Sequence, residues 1–244
     1  MTHHTRRPVL TVAVILLLAA CGSTASSSSV THTPTAAPTA AAAALVKGEF
    51  VGDAGQLAGI ALSTNGQQVI AYLCNGSYQH VSLAEWFKGP VTSSGIDITN
   101  AHGAHLVATV SAQAITGTVT LKDDTSAPFT ARLLPAPGRI YGLFRSEETF
   151  NGVHYLGGWI FNPPHFASAW TGTGTSGVSL TSVMVPGPVC CPPNGGVVGR
   201  VEGVGIINEQ TGALIVSPLV ENIVSVTVPD LGTFRLTPCR EAQC

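Results

Sequence analysis

The sequence has few charged side chains, and very few of them are lysines. Only 10% of its 244 residues are Asp, Glu, Lys or Arg, 45% are hydrophobic, and the formal charge is −2. Lysine occurs only at Lys47, Lys88 and Lys122. The chain therefore lacks the basic stripe typical of nucleic-acid binding and the polybasic patch that attracts anionic lipids. A low charge with a high apolar content favours a well-buried, β-rich domain.

Catalytic motifs are also lacking. Gly174-Thr175-Ser176-Gly177 has no residue between Ser and Gly, which a nucleophile elbow requires. Gly172–Gly177 matches G-x-G-x-x-G, but the strand-like run Val178–Val183 follows it where a dinucleotide site needs a helix. We therefore expect a flexible loop there, and we predict no catalytic residue, no metal site and no cofactor.

A run long enough to span a membrane is missing, but a shorter apolar run begins the chain. Met1–Arg7 ends in two arginines, and Leu10–Ala20 is apolar except for Thr11. Because spanning a bilayer takes about 20 apolar residues, this pattern predicts a secretory signal peptide over residues 1–20. The alternative is a signal anchor that is not removed.

The residues at the end of this run favour cleavage. Leu18-Ala19-Ala20-Cys21 resembles the bacterial lipobox, in which the Cys thiol is lipidated and the signal peptide is cut before it. The resemblance implies that Cys21 anchors the protein to the outer side of the cell membrane. Cleavage would remove Arg6 and Arg7 and no acidic residue, so the charge would change from −2 to −4.

Residues 21–45 predict a tether. After Cys21 this segment is almost entirely Ser, Thr, Ala and Pro. Such a composition buries too little apolar surface to offset the entropy of ordering the chain. A flexible segment of this length spans roughly 25–30 Å, so it would hold the folded part away from the membrane.

From residue 46 onward the pattern indicates β-structure. Short apolar or alternating runs are separated by turn signals such as Asn65-Gly66 and Asn151-Gly152, which favour tight hairpins. Nine runs predict an all-β antiparallel meander over residues 46–163, closed as a small barrel or folded as a sandwich: Leu57–Leu62, Gln68–Leu73, Val81–Phe87, Ile96–Thr99, His105–Val110, Ile115–Leu121, Phe129–Leu134, Arg139–Phe144 and Tyr155–Phe161. A Gly/Pro-rich loop is predicted at 164–194 and a smaller β segment at 195–244, either separate from the first sheet or docked on it.

Several short motifs in the β region occur in an order that resembles one known group of proteins. They are Ala71–Gly76, Ala84–Gly89, Thr116–Thr120, Gly142–Arg145 and Gly158–Ile160. Their order is similar to a β-rich domain in envelope lipoproteins of actinobacteria, including mycobacteria. The resemblance covers roughly half of the chain. It implies an envelope location and supplies no catalytic residue.

Five cysteines remain besides Cys21, which is an odd number. Export permits disulfides, and the sequence favours a bridge from Cys190 or Cys191 to Cys239 or Cys244. Cys74 lies in an apolar run, so we expect it to be a small buried hydrophobe.

Histidines and acids offer weaker candidates. His102 and His105 flank a turn at a spacing of three, which permits a shared metal but is more typical of ordinary turn residues. A glycosidase needs two carboxylates facing one cleft, and the acids considered are Glu85, Asp97, Glu147 and Glu148.

Aromatic residues in the predicted strands favour a filled core, or a pocket if the barrel is open. They are Trp86, Phe87, Tyr141, Phe144, Tyr155, Trp159 and Phe161. We therefore predict a non-catalytic, membrane-anchored module that binds an apolar ligand or an envelope protein. The alternatives are an envelope hydrolase and a purely structural lipoprotein.

Overall fold

The computed structural model describes residues 46–76, 79–134, 141–162, 182–183, 199–218 and 224–244. The predicted signal peptide, Cys21, the tether, residues 172–177 and the Cys190-Cys191 pair lie outside these residues. Within the described ranges the chain forms strands and turns only, which confirms the all-β prediction. No helix in these ranges is long and apolar enough to cross a membrane.

Eight antiparallel strands form a closed barrel, as predicted. Each strand pairs with the next in sequence, and β1 pairs with β8 to close the barrel, with Gly52 opposite Ala131. The strands are β1 (Gly48–Ala54), β2 (Ala58–Thr64), β3 (Gln68–Cys74), β4 (Ala84–Thr92), β5 (Gly95–Thr99), β6 (His105–Val110), β7 (Ala114–Thr120) and β8 (Ser126–Leu133). Strand β1 was not predicted, because Glu49, Gly52 and Asp53 interrupt its apolar pattern.

The barrel interior is filled with side chains. Every second residue of β8 points inward, so Ala127, Phe129 and Ala131 are buried while their neighbours are exposed. Twenty buried residues from all eight strands and their turns make up this interior cluster, with Phe50, Phe87 and Phe129 as its aromatic members. The interior is therefore a packed core.

A second sheet follows the barrel. It contains β9 (Gly142–Phe150), β10 (Val153–Asn162), β11 (Ser182–Val183), β12 (Gly199–Asn208), β13 (Leu214–Ile215) and β16 (Thr237–Pro238). The order is β11-β12-β10-β9-β16, and β13 also pairs with β12. A separate hairpin of β14 (Ser225–Val228) and β15 (Gly232–Arg235) covers one face of this sheet through Val226, Val228 and Phe234.

The predicted boundary at residue 163 does not match this grouping. The barrel ends at Leu133, and β9 and β10 belong to the second sheet, where β10 pairs with β12. The Asn151-Gly152 turn between β9 and β10 is a tight hairpin as predicted, with both residues at positive φ. Because local patterning predicts a hairpin but not its neighbours, it could not assign this one to the later sheet.

The second sheet docks against the outside of the barrel at Tyr72. Tyr72 is fully buried, and its hydroxyl donates a hydrogen bond to the Gly205 carbonyl at 3.2 Å. Gly158 and Gly205 are paired on β10 and β12, and a side chain at Gly158 would overlap the Tyr72 ring. The two glycines therefore allow the sheet to approach the barrel closely at this point.

Only the docked part of the barrel wall is buried on both faces. All of β2 is buried, and in β3 Val69, Ala71 and Leu73 face the interior while Ile70 and Tyr72 face the second sheet. Strands β6 to β8 instead alternate between buried and exposed residues. The difference reflects which strands the second sheet covers.

The disulfide in the described residues joins Cys239 to Cys244. The predicted pairing of either one with Cys190 or Cys191 is therefore wrong, because each cysteine sulfur forms only one disulfide bond. The sequence separation is only five residues, and two positive-φ residues, Glu241 and Ala242, turn the chain back sharply enough to bring the sulfurs together.

The loop closed by this disulfide packs on the barrel. The Ala242 amide donates a hydrogen bond to Ser63 Oγ at 3.1 Å, and the Cys239 amide donates to the Leu143 carbonyl at 2.8 Å. Burial raises the pKa of Glu49 on β1, and the nearby Arg240 guanidinium opposes that rise. The C-terminal residues thus contact both the barrel and the second sheet.

Trp159 and Trp86 differ in burial, which predicts different costs of truncation. Trp159 is fully buried against Phe234, whereas Trp86 is only half-buried on the barrel exterior. Trp159→Ala should lower the free energy of unfolding by about 3–5 kcal/mol, and Trp86→Ala by less. Denaturant unfolding of the two variants measures this, and equal losses would contradict the difference in burial between the two tryptophans.

Cys74 is a free, buried thiol, as expected, and this predicts how stability responds to alkali. Burial raises the pKa of the Cys74 thiol to about 11. The folded state therefore retains a proton that the unfolded chain loses, so stability should fall as the pH rises from about 9 to about 11, by roughly 2–3 kcal/mol. Peptide mapping after alkylation at neutral pH should find Cys74 unmodified until the protein unfolds.

The matched variant for this prediction is Cys74→Ala. Burial also raises the pKa of Tyr72, so part of the alkaline loss should remain in the variant. A variant with the same alkaline slope as the parent would show that Cys74 does not carry the effect.

Candidate functional site

A cleft of about 350 Å³ lies between the outer wall of the barrel and the second sheet. The barrel contributes Trp86 from β4 and the turn between β5 and β6, and the second sheet contributes β10, β12 and the turn after β12. The lining residues are Trp86, Asn100, Ala101, His102, Leu156, Ile207, Glu209 and Gly212. A smaller space of about 110 Å³ adjoins it, shares three of these residues and adds Glu85.

On the barrel wall, Glu85 is held by two donors. Asn100 Nδ2 donates to Glu85 Oε2 at 2.6 Å, and His102 Nδ1 lies 2.9 Å from the same oxygen. The Glu85 side chain is 17% exposed and that of His102 is 57% exposed. The pair therefore joins a mostly buried carboxylate to an imidazole that reaches the solvent.

Asn100 organises this wall. Its Oδ1 accepts hydrogen bonds from the His102 and Ala104 amides, which shapes the turn, while its Nδ2 also donates to the Trp86 carbonyl at 3.1 Å. Strand β5 pairs with β4 only at Val91 and Thr92. The Asn100 amide thus links the first half of β4 to the β5–β6 turn beyond the point where the strands separate.

On the opposite wall, Glu209 pairs with His154. His154 Nδ1 lies 2.6 Å from Glu209 Oε2, and the Glu209 amide donates to the His154 carbonyl at 3.1 Å. Asn208 Oδ1 accepts from the Gln210 and Thr211 amides and fixes the turn that follows β12. The second wall therefore also presents a carboxylate that a histidine holds in place.

Trp86 lies where the two walls meet. Its ring lies 4.4 Å from that of Tyr72, and the Arg145 guanidinium carbon lies 5.3 Å from the indole centroid. Arg145 is also ion-paired with Glu147. The indole Nε1 is buried and has no hydrogen-bond partner among the described residues.

The other sequence candidates lie apart from one another. His105 pairs with Asp97 at 2.8 Å on the barrel surface, and not with His102. Glu148 accepts a hydrogen bond from the Arg235 amide. In the described part of the chain, no three His, Cys, Asp or Glu side chains are grouped so that they could hold a metal ion.

The aromatic candidates divide between three environments. Phe87 lies in the barrel core and Trp86 at the cleft, whereas Phe144, Tyr155, Trp159 and Phe161 pack in the second sheet under the β14–β15 hairpin. Tyr141 is partly buried between barrel and sheet. None of them lines an open barrel interior, because that interior is packed.

Sequence reasoning missed Asn100, His154 and Glu209 as site residues. The turn chemistry of Asn100 is a detectable signal, since Asn side chains commonly bond the amides two residues onward. His154 and Glu209 are 55 residues apart, so only the pairing of β10 with β12 brings them together. No protein-family model, no curated protein and no solved structure matches this chain.

Proposed function

We propose that the protein is an exported lipoprotein that Cys21 anchors to the outer side of the cell membrane, and that its folded part binds a ligand in the cleft between barrel and second sheet. The signal-like run before Cys21 and the Ser/Thr/Ala/Pro-rich tether after it support the anchor. Two acyl chains on one cysteine suffice for stable attachment, so no basic patch is required.

The single observation that carries the binding role is the cleft itself. Ligand pockets in proteins usually occupy about 300–1,000 Å³ and combine apolar walls with a few fixed polar groups. The cleft has about 350 Å³, apolar walls at Leu156 and Ile207, and held polar groups at Asn100 and Glu209. The packed barrel interior supports placing the ligand here and argues against an apolar ligand inside the barrel.

A hydrolase is the second candidate, and the Glu85–His102 pair favours it. A carboxylate that fixes one imidazole nitrogen leaves the other available as a general base. Among the described residues, no Ser, Thr or Cys side chain hydrogen-bonds to His102, so the nucleophile would be water. The absence of a nucleophile motif in the sequence supports the binding role as the first candidate.

The anchor predicts the behaviour of Cys21→Ser. Without the thiol there is no acceptor for lipid, so the chain should remain unprocessed or become soluble. Membrane fractionation and mass spectrometry of the mature N-terminus measure this, with Cys74→Ala as the matched cysteine variant that should stay lipidated. A cleaved, lipid-modified Cys21→Ser protein would rule out the lipobox.

The cleft predicts that Ala101→Trp blocks ligand binding. Ala101 is an exposed turn residue lining the cleft, so an indole there should fill the space without disturbing the core. A ligand-observed NMR screen of small fragments against the mature protein measures binding. The matched control is Ala112→Trp, in the exposed turn between β6 and β7, which should bind as the parent does.

The same screen separates the alternatives. Fragments lost in Ala101→Trp and kept in Ala112→Trp support a binding module. Fragments converted to products by the parent would instead indicate the hydrolase. If every fragment that binds the parent also binds Ala101→Trp, the cleft is not a binding site and a structural role is favoured.

A further inference from the structure

We propose that the cleft takes a protonated aliphatic amine: an ammonium group on an apolar carbon chain, either free or as a lysine side chain. This inference rests on the proposed function, because it specifies the ligand of that same cleft.

The charged side chains at the cleft favour a cationic ligand. Glu209 lines the cleft and Glu85 lines the smaller space that adjoins it, and none of the described residues that line the two spaces is Lys or Arg. Arg145 contacts Trp86 but does not line the cleft, and Glu147 neutralises its charge. Within the described ranges, the two carboxylates pair with His102 and His154 and with no Lys or Arg. An anion would therefore meet two acidic side chains, whereas a cation would meet complementary charge on both walls.

Each of the two carboxylates also has an oxygen that could accept a hydrogen bond from a ligand. Asn100 and His102 both contact Oε2 of Glu85, and His154 contacts Oε2 of Glu209. In the described part of the chain, neither Oε1 has a hydrogen-bond donor. A carboxylate has about four acceptor positions, so each wall keeps an oxygen that an ammonium group can bind.

Hydrogen bonds within the protein orient both carboxylates. Four hydrogen bonds fix the Asn100 side chain: its Nδ2 donates to the Glu85 carboxylate and the Trp86 carbonyl, and its Oδ1 accepts from the His102 and Ala104 amides. Glu209, whose side chain is 44% exposed, contacts His154 through both its side chain and its backbone. Because Glu85 is mostly buried and already held, a ligand that binds it loses little affinity to the ordering of that side chain.

The apolar lining specifies the rest of the ligand. Leu156 and Ile207 contribute methyl and methylene surface to the cleft, and Ala101 adds a small side chain at the turn. An alkyl chain that ends in an ammonium group matches this combination better than a fully polar ligand does.

The experiment is a titration of the full mature protein in non-ionic detergent with three probes of similar length. Hexanediamine is a dication, hexanediol is neutral, and adipate is a dianion. NMR shifts of residues at the cleft report binding. Hexanediamine should bind more tightly than the other two. Its affinity should fall between about 0.1 M and about 1 M salt, over which the Debye length shrinks from about 10 to about 3 Å.

The variants assign the binding to the two carboxylates. Glu85→Gln and Glu209→Gln keep the shape of the side chain and an acceptor oxygen, and each should weaken hexanediamine by about 3–10-fold. Asp97→Asn is the matched control, because Asp97 forms the same kind of pair with His105 outside the cleft. It should leave the affinity unchanged.

A capped lysine, Nα-acetyl-lysine methylamide, distinguishes the two sources of the amine. Tighter binding of this probe than of hexanediamine would assign the cleft to a lysine of a protein partner, and the reverse would assign it to a free amine; both support the inference. Hexanediol or adipate binding in the cleft as tightly as hexanediamine would overturn the amine while leaving the binding role intact. The same holds if no probe binds although the fragment screen finds cleft ligands.

Discussion

The contact of Tyr72 with Gly158 and Gly205 is the constraint on which the rest of the molecule depends. The two glycines face each other across β10 and β12, and the absence of their side chains lets the aromatic ring lie directly on the second sheet. A methyl group at Gly158 would overlap the ring and push the sheet away from the barrel. Such a displacement would uncover Ile70, Cys74 and Ile160, which are buried only because the two layers touch. It would also separate the walls of the cleft, since Trp86 stacks on the same tyrosine.

Much of the barrel could be predicted from the sequence, because alternation and turn chemistry are local. The exposed strands β6 to β8 read as alternating runs, and Asn65-Gly66 forms a turn in which Asn65 Oδ1 accepts from the amides of Gln67 and Gln68. The placement of β9 and β10 is not local. Their hairpin at Asn151-Gly152 is as clear as any in the barrel, but their neighbours β12 and β16 come from residues 199–208 and 237–238. Strand β3 has apolar residues on both faces. A barrel strand needs only one apolar face, the one that points inward, so an apolar outer face indicates that another layer covers it.

The sequence identified some of the site residues but not which of them contact one another. Glu85 and His102 were both candidates, yet nothing in their spacing of 17 residues indicates that they meet; the turn built by Asn100 brings them together. His102 and His105 had a suggestive spacing, but the strand that begins at His105 directs the two side chains to different carboxylates. The Cys239–Cys244 bridge shows the same dependence on backbone shape, because two residues at positive φ close a loop that residue types alone do not predict.

Because the barrel interior is packed, the proposed ligand site lies at the boundary between two layers, and this would change what binding can do. A ligand inside a barrel would stabilise the barrel alone. A ligand that contacts Glu85 on β4 and Glu209 beyond β12 contacts both layers at once, so its binding free energy adds to the free energy that holds the sheet on the barrel. The C-terminal loop, through Ala242 and Ser63, fixes the sheet at another place on the barrel wall. Loss of either contact would leave two folded layers with a less well-defined cleft between them. If the cleft binds a ligand as proposed, the glycines at the docking point, which make no polar side-chain contact themselves, would be as important for recognition as the charged residues.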